Sequence, residues 1–504
     1  MPEYPTLAAV DLGSNSFHLQ VARVEGDQLY PLDSLRDAVR LGAGLTSDKR
    51  LDEATQARAL DSLARFGERL RGLPKGAVRA VGTNALRVAK NSGNFLRRAQ
   101  QALGVPIEVI AGREEARLTF LGVVHELPPS DERRLVVDIG GGSTEFIIGR
   151  RLKPERLESL YMGCVSWSLR FFPGGRVTKA ALKQAEIAAQ AELETIVTAY
   201  GRRFWDNAFA SSGTARALAE LTLAHGLGDG TLTLQGLEGL RALALRNGGF
   251  ERLAPEGFKA DRLPVLPGGL AIMTAILAAL GVERMDLATG ALRQGILYDL
   301  LGRVHHHDMR DVTVGQFMQR YHVEPRQARR VADLARKLHA GIARKAEEGE
   351  EPGRLLAWAA KLHEIGLSVA HNGYHKHSAY ILRNADMPGF SRPEQARLAN
   401  AVLGHRGTLR KMQGLIESGA DADQLISLRL ATLFLRGRTD LAPPGLALST
   451  RRRGDGYRLD LDPQWLAGNP LTEASLREEI REWAALDIDL EVESIGKGGE
   501  AIAA

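Results

Sequence analysis

Two short stretches of the chain share one pattern of apolar and polar positions. In residues 8–24, AAVDLGSNSFHLQVARV, and residues 135–151, LVVDIGGGSTEFIIGRR, an apolar run leads into a Gly/Ser turn and then into a second, alternating run. This order predicts a β-hairpin in each stretch. The stretches align without a gap and match two pairs of residues: Asp11 with Asp138, and His18 with Glu145. The repeat therefore predicts two similar domains.

The hydrophobic period changes after Leu301. Apolar residues recur at helical spacing through RRVADLARKLHAGIARKAEEG, GRLLAWAAKLHEIGLSVAH and PEQARLANAVLGH, which predicts an all-helical domain. The last segment combines the strand-like LALST and YRLDLD with the helix-like EASLREEIREWAAL. We expect a small α+β module there.

Composition limits the protein class. A chain of 504 residues exceeds the size at which one core keeps growing, so at least three domains are expected. The N-terminus lacks a secretory signal, no apolar run approaches a membrane helix in length, and Cys164 is the single cysteine. These features predict a cytoplasmic protein with no transmembrane segment.

Charge gives a weaker indication of partners. The net charge of +5 is too small to indicate nucleic-acid binding, and no nucleic acid is expected. Residues 303–345 hold ten Lys or Arg against four acids, which would attract a polyanion. On charge alone, solvated helix faces explain this stretch better.

The glycine cluster GGGSTE is not a dinucleotide-binding turn. It departs from GxGxxG and leads into the strand-like TEFIIG, whereas the Rossmann turn leads into a helix. The sequence also lacks a GxxxxGK[ST] phosphate loop. What remains is a turn whose amides and hydroxyls can approach an anion closely, since glycine has no Cβ.

Several longer segments resemble one enzyme family. DLGSNSFHLQVARV, VGTNALRVAKN, IEVIAGREEARLTFLGV, VVDIGGGSTEF, SSGTARAL, LPGGLAI, ATGALRQGILYDLLGR and NGYHKHSAYILRNADMPGF are similar to segments of the bacterial exopolyphosphatase and guanosine pentaphosphate phosphohydrolase family. The resemblance runs from about residue 8 to about residue 405 and favours the exopolyphosphatase branch. The paired hairpins likewise resemble the phosphate loops of the acetate and sugar kinase, actin and heat-shock ATPase superfamily.

This resemblance implies a fold for the whole chain. It implies an α/β protein in which two actin-like (ribonuclease H-like) domains precede an all-α HD-like domain and a small α+β domain. The expected boundaries are 1–127, 128–302, 303–439 and 440–504. The histidines of the helical domain follow the HD phosphohydrolase layout, but the diagnostic His-Asp pair is His363-Glu364 here. We therefore expect a structural or substrate-lining role for them.

Catalytic and metal-binding residues are expected near the turns. The resemblance implies that Glu115, in GREEARL, activates water, although Glu114 and Glu115 could merely complement a helix N-terminus. Asp138 and Glu145 lie seven residues apart across a tight hairpin, so both carboxylates can reach its mouth and suit Mg²⁺. Turn chemistry is the alternative for both. A monovalent cation would also be compatible.

Phosphate-binding residues are expected at four turns. Ser14, Asn15, Ser16, Ser143 and the amides of Gly141 and Gly142 can donate to phosphate oxygens, although turn preference explains each equally well alone. Thr83, Asn84 and Arg87 lie at a strand-to-helix junction, where amides favour an anion and Arg87 could clamp it. The resemblance adds four further residues: Ser212, Gly213, Thr214 and Arg262. A solvated role is the alternative for Arg262.

The predicted function is phosphoanhydride hydrolysis. We expect a Mg²⁺-dependent, processive exopolyphosphatase that is a homodimer and acts on inorganic polyphosphate. The alternative is the sister activity of the family, hydrolysis of the 5′ terminal phosphate of guanosine pentaphosphate. One protein could carry both activities. A non-enzymatic polyphosphate or nucleotide sensor is the third hypothesis, and the intact acidic residues count against it.

Overall fold

The computed structural model describes residues 4–304, 308–342, 352–416, 419–439, 443–451 and 456–493. The chain divides into two compact units, Met1–Asp308 and Met309–Ala504. The finer division into four domains and the homodimer stay predictions. The predicted boundary at 440 lies outside the described residues.

Unit 1 contains two five-stranded sheets with the same topology. The first has the order β3-β2-β1-β4-β5 and the second the order β10-β9-β6-β7-β8. In each, three antiparallel strands are followed by two parallel ones. The duplication predicted from the repeat is confirmed. The strands are β1 Thr6–Leu12, β2 Phe17–Glu25, β3 Gln28–Asp37, β4 Val78–Gly82, β5 Ile107–Val109, β6 Arg133–Ile139, β7 Thr144–Arg150, β8 Lys153–Leu160, β9 Asn207–Ser211 and β10 Asp286–Leu287.

The two repeated stretches form the predicted hairpins. Strands β1 and β2 pair antiparallel with Asp11 opposite His18, and β6 and β7 pair with Asp138 opposite Glu145. The residues that the sequence aligns are therefore cross-strand partners at equivalent positions. Each hairpin ends in a Gly/Ser turn, which we call the first turn (13–16) and the second turn (140–143).

Helices follow the strands and enclose both sheets. Helix α4 begins two residues after β5, α2 follows β4, and α8 follows β9. Each of these helices begins shortly after the carboxyl end of a parallel strand, so their N-termini lie at the carboxyl edge of the sheets. The helices are α1 Glu53–Leu70, α2 Asn84–Val88, α3 Ser92–Leu103, α4 Gly112–Glu126, α5 Cys164–Phe171, α6 Lys179–Leu193, α7 Val197–Tyr200, α8 Gly213–Ala224, α9 Leu234–Asn247, α10 Leu266–Leu280 and α11 Leu292–Val304.

A buried ionic network joins β4, α4 and α11. Asp299 on α11 accepts from Arg79 at 2.7 Å and also pairs with Arg117. Arg117 in turn donates to both oxygens of Glu114, at 2.7 and 2.8 Å. Breaking a buried pair leaves an uncompensated charge, so this network constrains how α4 packs. Glu114 belongs to this network and therefore has a structural role.

One expectation about apolar runs is wrong. Residues 263–282 carry no charged residue, and Ala260–Leu280 is long and apolar enough on composition to cross a membrane, with a mean hydropathy of 2.0. In the structure, 78% of the most apolar stretch of this segment is buried, and α10 packs against α5, α6 and α8. It is the central helix of the second sheet's core.

Unit 2 is helical with a small terminal sheet. The predicted all-helical region is confirmed, with α12 Met309–Arg320, α13 Pro325–Ala340, α14 Pro352–Leu362, α15 Tyr374–Asn384, α16 Arg392–Gly404 and α17 Gly419–Phe434. It leads into a three-stranded sheet of order β11-β12-β13. The remaining elements are β11 Ala447–Thr450, β12 Gly456–Asp460, α18 Pro463–Ala467, α19 Pro470–Ala484 and β13 Asp489–Val492. The likeness to an HD phosphohydrolase stays a prediction.

Candidate functional site

The two Gly/Ser turns of unit 1 border one cavity of about 360 Å³. Most of the residues predicted for catalysis, metal and phosphate line it. They are Ser14, Asn15, Ser16, Thr83, Glu115, Asp138, Gly141, Gly142, Ser143, Glu145, Ser212, Gly213, Thr214 and Arg262. The remaining two, Asn84 and Arg87, lie directly behind this lining. The fold thus brings together side chains from segments up to 248 residues apart.

The two turns lie within contact distance of each other. A Cβ added to Gly141 would lie 3.0 Å from Ser14 Cβ, and one added to Gly142 would lie 2.4 Å from Asn84 Oδ1. These positions require glycine because the opposite turn and α2 fill the space a side chain would need. The Nδ2 of Asn84 is buried and, among the described residues, has no hydrogen-bond partner. That amide is therefore an available donor beside the second turn.

Helix α5 fixes the backbone of the second turn. The amides of Val165 and Ser166 donate to the carbonyl of Gly141 at 3.0 and 3.1 Å, and the amide of Cys164 donates to Gly140 at 2.9 Å. Three bonds at the start of one helix thus hold the turn in place. The amide of Gly140 donates to the carbonyl of Ser143 at 2.9 Å, which closes the turn, and all four turn residues line the cavity.

Four acidic side chains meet at the cavity. Asp11, Glu115, Asp138 and Glu145 all line it, and the last three are residues predicted to act there. Burial, followed by the charge of Glu115, raises the pKa of Asp11 and of Asp138 to about 7. Burial and then Glu115 and Asp138 raise the pKa of Glu145 well above its ordinary value. Like charges this close resist simultaneous ionisation unless a cation joins them.

The two adjacent glutamates of α4 have separate surroundings. Glu114 belongs to the ionic network with Arg117, whereas Glu115 lines the cavity. Arg87, predicted to clamp phosphate, donates to Glu115 Oε2 at 2.7 Å and to the carbonyl of Ile110 at 2.9 Å. The guanidinium therefore orients Glu115, and its phosphate-binding role stays a prediction.

The acidic residues fit a hard divalent cation. Carboxylate oxygens suit Mg²⁺, which takes one or two carboxylates and completes its shell with water and substrate phosphates. Asp11 Oδ1 is buried and, within the described part of the chain, has no hydrogen-bond partner. Ser159 donates to Glu145 Oε1 at 2.8 Å and so orients that carboxylate. Among the described residues, no three His, Cys, Asp or Glu side chains converge closely enough to hold a metal alone, so any Mg²⁺ there would also need substrate or water as ligands.

Five cationic side chains also line the cavity, and all but Arg262 were not predicted. They are Arg36, Arg216, Lys259, Arg262 and Arg293. Arg262 packs against Gly213, where an added Cβ would lie 2.3 Å from its Nη2. Arg36 pairs with Asp261 at 2.5 Å. Burial and then Arg293 lower the pKa of His18 to about 3, so its imidazole is neutral. The cavity can accept a strongly charged anion.

Sequence signals for the missed residues differ. Asp11 could have been found, since it is the repeat counterpart of Asp138 and precedes the first turn in the same way. Arg36 lies in β3, while Arg216 and Arg293 lie at the starts of α8 and α11. Nothing in their local sequence distinguishes these arginines from solvated ones.

The histidines predicted for an HD-like layout cluster in unit 2. The rings of His363 and His405 are 5.1 Å apart, and those of His375 and His405 are 6.2 Å apart. His371 lies at the exposed start of this cluster, near Tyr374. Within the described residues, these side chains do not form a metal-binding group.

Comparisons with known proteins cover both units. Residues 20–304 match the Ppx/GppA phosphatase family, and residues 309–480 match Ppx/GppA phosphatase, domain III. The guanosine-5′-triphosphate,3′-diphosphate pyrophosphatase of Vibrio cholerae serotype O1 is 38% identical over 97% of this chain and 98% of its own. That of Aeromonas hydrophila is 39% identical over 95% and 97%.

Solved structures resemble more than half of the chain. An exopolyphosphatase-like protein is 25% identical, with a TM-score of 0.55, over 60% of this chain and 99% of that one. The exopolyphosphatase from Cytophaga hutchinsonii is 27% identical, with a TM-score of 0.52, over 59% and 98%. Sequence and fold agree: the chain belongs to the Ppx/GppA phosphatase family and is an enzyme that hydrolyses phosphoanhydride bonds.

Proposed function

We propose that this enzyme removes the terminal phosphate from the 5′ triphosphate of guanosine pentaphosphate. The observation that carries the proposal is one cavity lined by four carboxylates, five cations and two glycine-rich turns. The substrate is favoured by the relatives in Vibrio cholerae and Aeromonas hydrophila, which match nearly the whole chain and bear that activity in their names. They favour it over the exopolyphosphatase activity that the sequence patterns put first.

The turns and cations would hold the phosphates. The amides of Gly141 and Gly142 and the hydroxyls of Ser14 and Ser143 can donate to phosphate oxygens at a site where no Cβ obstructs approach. Arg262 adds a cation that is partly desolvated. Buried cations interact more strongly with a phosphate than solvated ones do. Together they neutralise the charge that develops on the transferred phosphoryl group.

Glu115 would activate the attacking water. The water attacks the terminal phosphorus, the bond to the bridging oxygen breaks, and the water proton passes to the Glu115 carboxylate. The products are orthophosphate and guanosine tetraphosphate. Arg87 orients Glu115 through its 2.7 Å bond, so the base is held in one position before substrate binds.

Mg²⁺ is the proposed cofactor. When bound, it would neutralise negative charge on the phosphates and polarise the scissile bond. Asp138 and Glu145, with Asp11 as an additional ligand, are the residues that would hold it. The raised pKa values of Asp11 and Asp138 support this assignment, because a cation relieves the repulsion that raises them.

Exopolyphosphatase activity is the second candidate. It is supported by the two solved structures that bear this description and by the row of cations along the cavity, which suits any phosphate chain. Both reactions use the same phosphoryl-transfer groups, so the cavity residues alone do not separate the two substrates.

A direct comparison of substrates tests the proposal. Orthophosphate release would be measured with Mg²⁺ from guanosine pentaphosphate and from long-chain polyphosphate, side by side. We expect kcat/KM to be higher for the nucleotide. A higher value for polyphosphate would favour the second candidate, and release from neither substrate would contradict both.

A further inference from the structure

Unit 2 contains a cleft of its own, formed by two adjoining cavities of about 630 and 310 Å³. The two share a wall of four residues: His371, Tyr374, Arg406 and Arg436. The lining comes from α15, the loop after α16, the C-terminal end of α17 and one face of α19. All of these elements belong to unit 2, so the cleft is complete within that unit.

Three cationic side chains of the cleft have no ion-pair partner among the described residues, and two of them, Arg406 and Arg436, lie on the shared wall. Arg406, Arg436 and Lys376 are exposed in the cleft, and none of the three forms an ion pair with another described residue. Arg406 instead lies over the ring of Tyr374, with its guanidinium carbon 5.2 Å from the ring centroid. This contact keeps the guanidinium at the wall while leaving its N–H donors available.

Three of the four carboxylates that line the cleft accept hydrogen bonds from other residues of unit 2. Glu479 accepts two bonds from Arg429, at 2.6 and 2.7 Å, and Glu364 accepts from Arg438 at 2.7 Å. Glu482 accepts from the amide of Leu409 at 2.6 Å. Glu478, on the exposed rim, is the remaining acid of the described lining. The available charges on the shared wall are therefore cationic.

Histidines form the inner surface of the cleft. His405 Nδ1 donates to the carbonyl of Val402 at 2.6 Å, so its Nε2 accepts from the Tyr374 hydroxyl at 3.2 Å. His375 differs, because its Nδ1 is buried and has no partner among the described residues. Burial, and then Lys411 and Lys376, lower the pKa of His375 to about 4, which agrees with a positive field at that ring.

We propose that this cleft binds a phosphate-bearing anion at Arg406 and Arg436, beside the ring of His375. Guanidinium groups in a fixed position match the oxygens of a phosphate in charge and geometry. An anion held by these guanidiniums would offset the positive field of Lys411 and Lys376 at the His375 ring and would favour protonation of that ring. The site is separate from the cavity of unit 1, so it stands whether or not the proposed function is correct.

Calorimetry with two phosphate probes tests the site on the full chain. The probes are orthophosphate and methylenediphosphonate, whose P–C–P bonds resist hydrolysis. In the R406S/R436S variant we expect one class of binding sites to weaken at least tenfold, while binding at the unit 1 cavity persists. The R329S/R410S variant removes the same charge from exposed positions outside the cleft and should bind like wild type.

A site-specific signal completes the test. The His375 ring resonance, assigned by its loss in His375→Gln, should shift on addition of the probe to wild type and stay in place in R406S/R436S. Response to orthophosphate assigns the site to a single phosphate group, and response to the diphosphonate alone assigns it to a phosphate chain. Equal binding by both double variants, or an unmoved His375 signal at saturation, would overturn the proposal.

Discussion

Replacing Gly163 with alanine tests whether the backbone position of the second turn controls catalysis. Gly163 caps α5 with φ −137° and ψ 158°, a conformation that alanine adopts without strain. The added Cβ would nevertheless lie 2.4 Å from the carbonyl carbon and oxygen of Gly141 and from the amide nitrogen of Gly142. The effect is therefore steric and falls on the turn itself.

The size of the effect follows from the geometry. Ordinary contact begins near 3.4 Å, so α5 and the second turn must part by about 1 Å. They cannot part freely, because three amides of α5 donate to Gly140 and Gly141. Overpacking of this kind lowers the free energy of unfolding by about 1–3 kcal/mol. A displacement of about 1 Å at a reacting centre reduces the rate by about 10²-fold.

The assay compares Gly163→Ala with Gly93→Ala. Gly93 lies in α3 on the surface, and a Cβ there would meet nothing within 4 Å. Steady-state orthophosphate release and urea titration would be measured for both variants. We expect G163A to lose activity and stability, whereas G93A keeps its rate and gains up to about 1 kcal/mol from helix propensity. Wild-type activity in a stable G163A would refute the claim that the turn must stay in place.

Three further predictions concern charge. Asp299→Asn should lower the free energy of unfolding by about 3–5 kcal/mol in urea at pH 7, because two buried arginines lose their shared carboxylate; an unchanged midpoint would contradict this. Unit 2 should lose stability as the pH falls below about 6.5, since burial lowers the pKa of His405 and the unfolded chain binds the proton first. Urea midpoints at pH 8 and pH 5 check it, and equal midpoints would disprove it. Mg²⁺ should bind more tightly at pH 8 than at pH 6 and release protons, because burial raises the pKa of Asp11 and Asp138 to about 7. Calorimetry in two buffers of different ionisation enthalpy measures that release, and its absence would count against the metal site.

The hairpins could be predicted because their signal is local. Period-two alternation on both sides of a Gly/Ser turn specifies pairing within a short segment, residues 6–25 in one hairpin and 133–150 in the other, and the register follows from the turn. The same locality places Glu115 one turn into α4 and Ser212 at the start of α8, where its hydroxyl accepts from the amide of Ala215 at 3.1 Å.

Long-range placement could not be predicted in this way. Arg36 in β3 and Arg293 in α11 line the same cavity although they are 257 residues apart in the chain. The sequence predicts that Arg87 binds phosphate. In the structure its guanidinium donates to Glu115, a residue of α4, and this contact depends on where α4 lies relative to α2. The uncharged run at 263–282 is as long as a membrane helix, and only the structure shows that it is apolar because it is buried against α5, α6 and α8.

The two hairpins differ at one paired position, which is His18 in the first and Glu145 in the second. His18 and Glu145 suggest a phosphate-binding half and a metal-binding half. Asp11, however, lies in the first hairpin and lines the same cavity as Asp138 and Glu145, the two acids that flank the second turn. We therefore expect both hairpins to contribute carboxylates, with His18 remaining neutral beside Arg293.

The most direct test of the central claim is the rate of Glu115→Gln on guanosine pentaphosphate. This variant keeps the size of the side chain and removes its ability to accept a proton. We expect kcat to fall by at least about 10²-fold, because glutamine cannot accept the water proton. The change also removes the charged partner of Arg87, so a urea titration is run alongside to establish that the variant is folded under the assay conditions. A near-wild-type kcat in a folded Glu115→Gln enzyme would contradict the account.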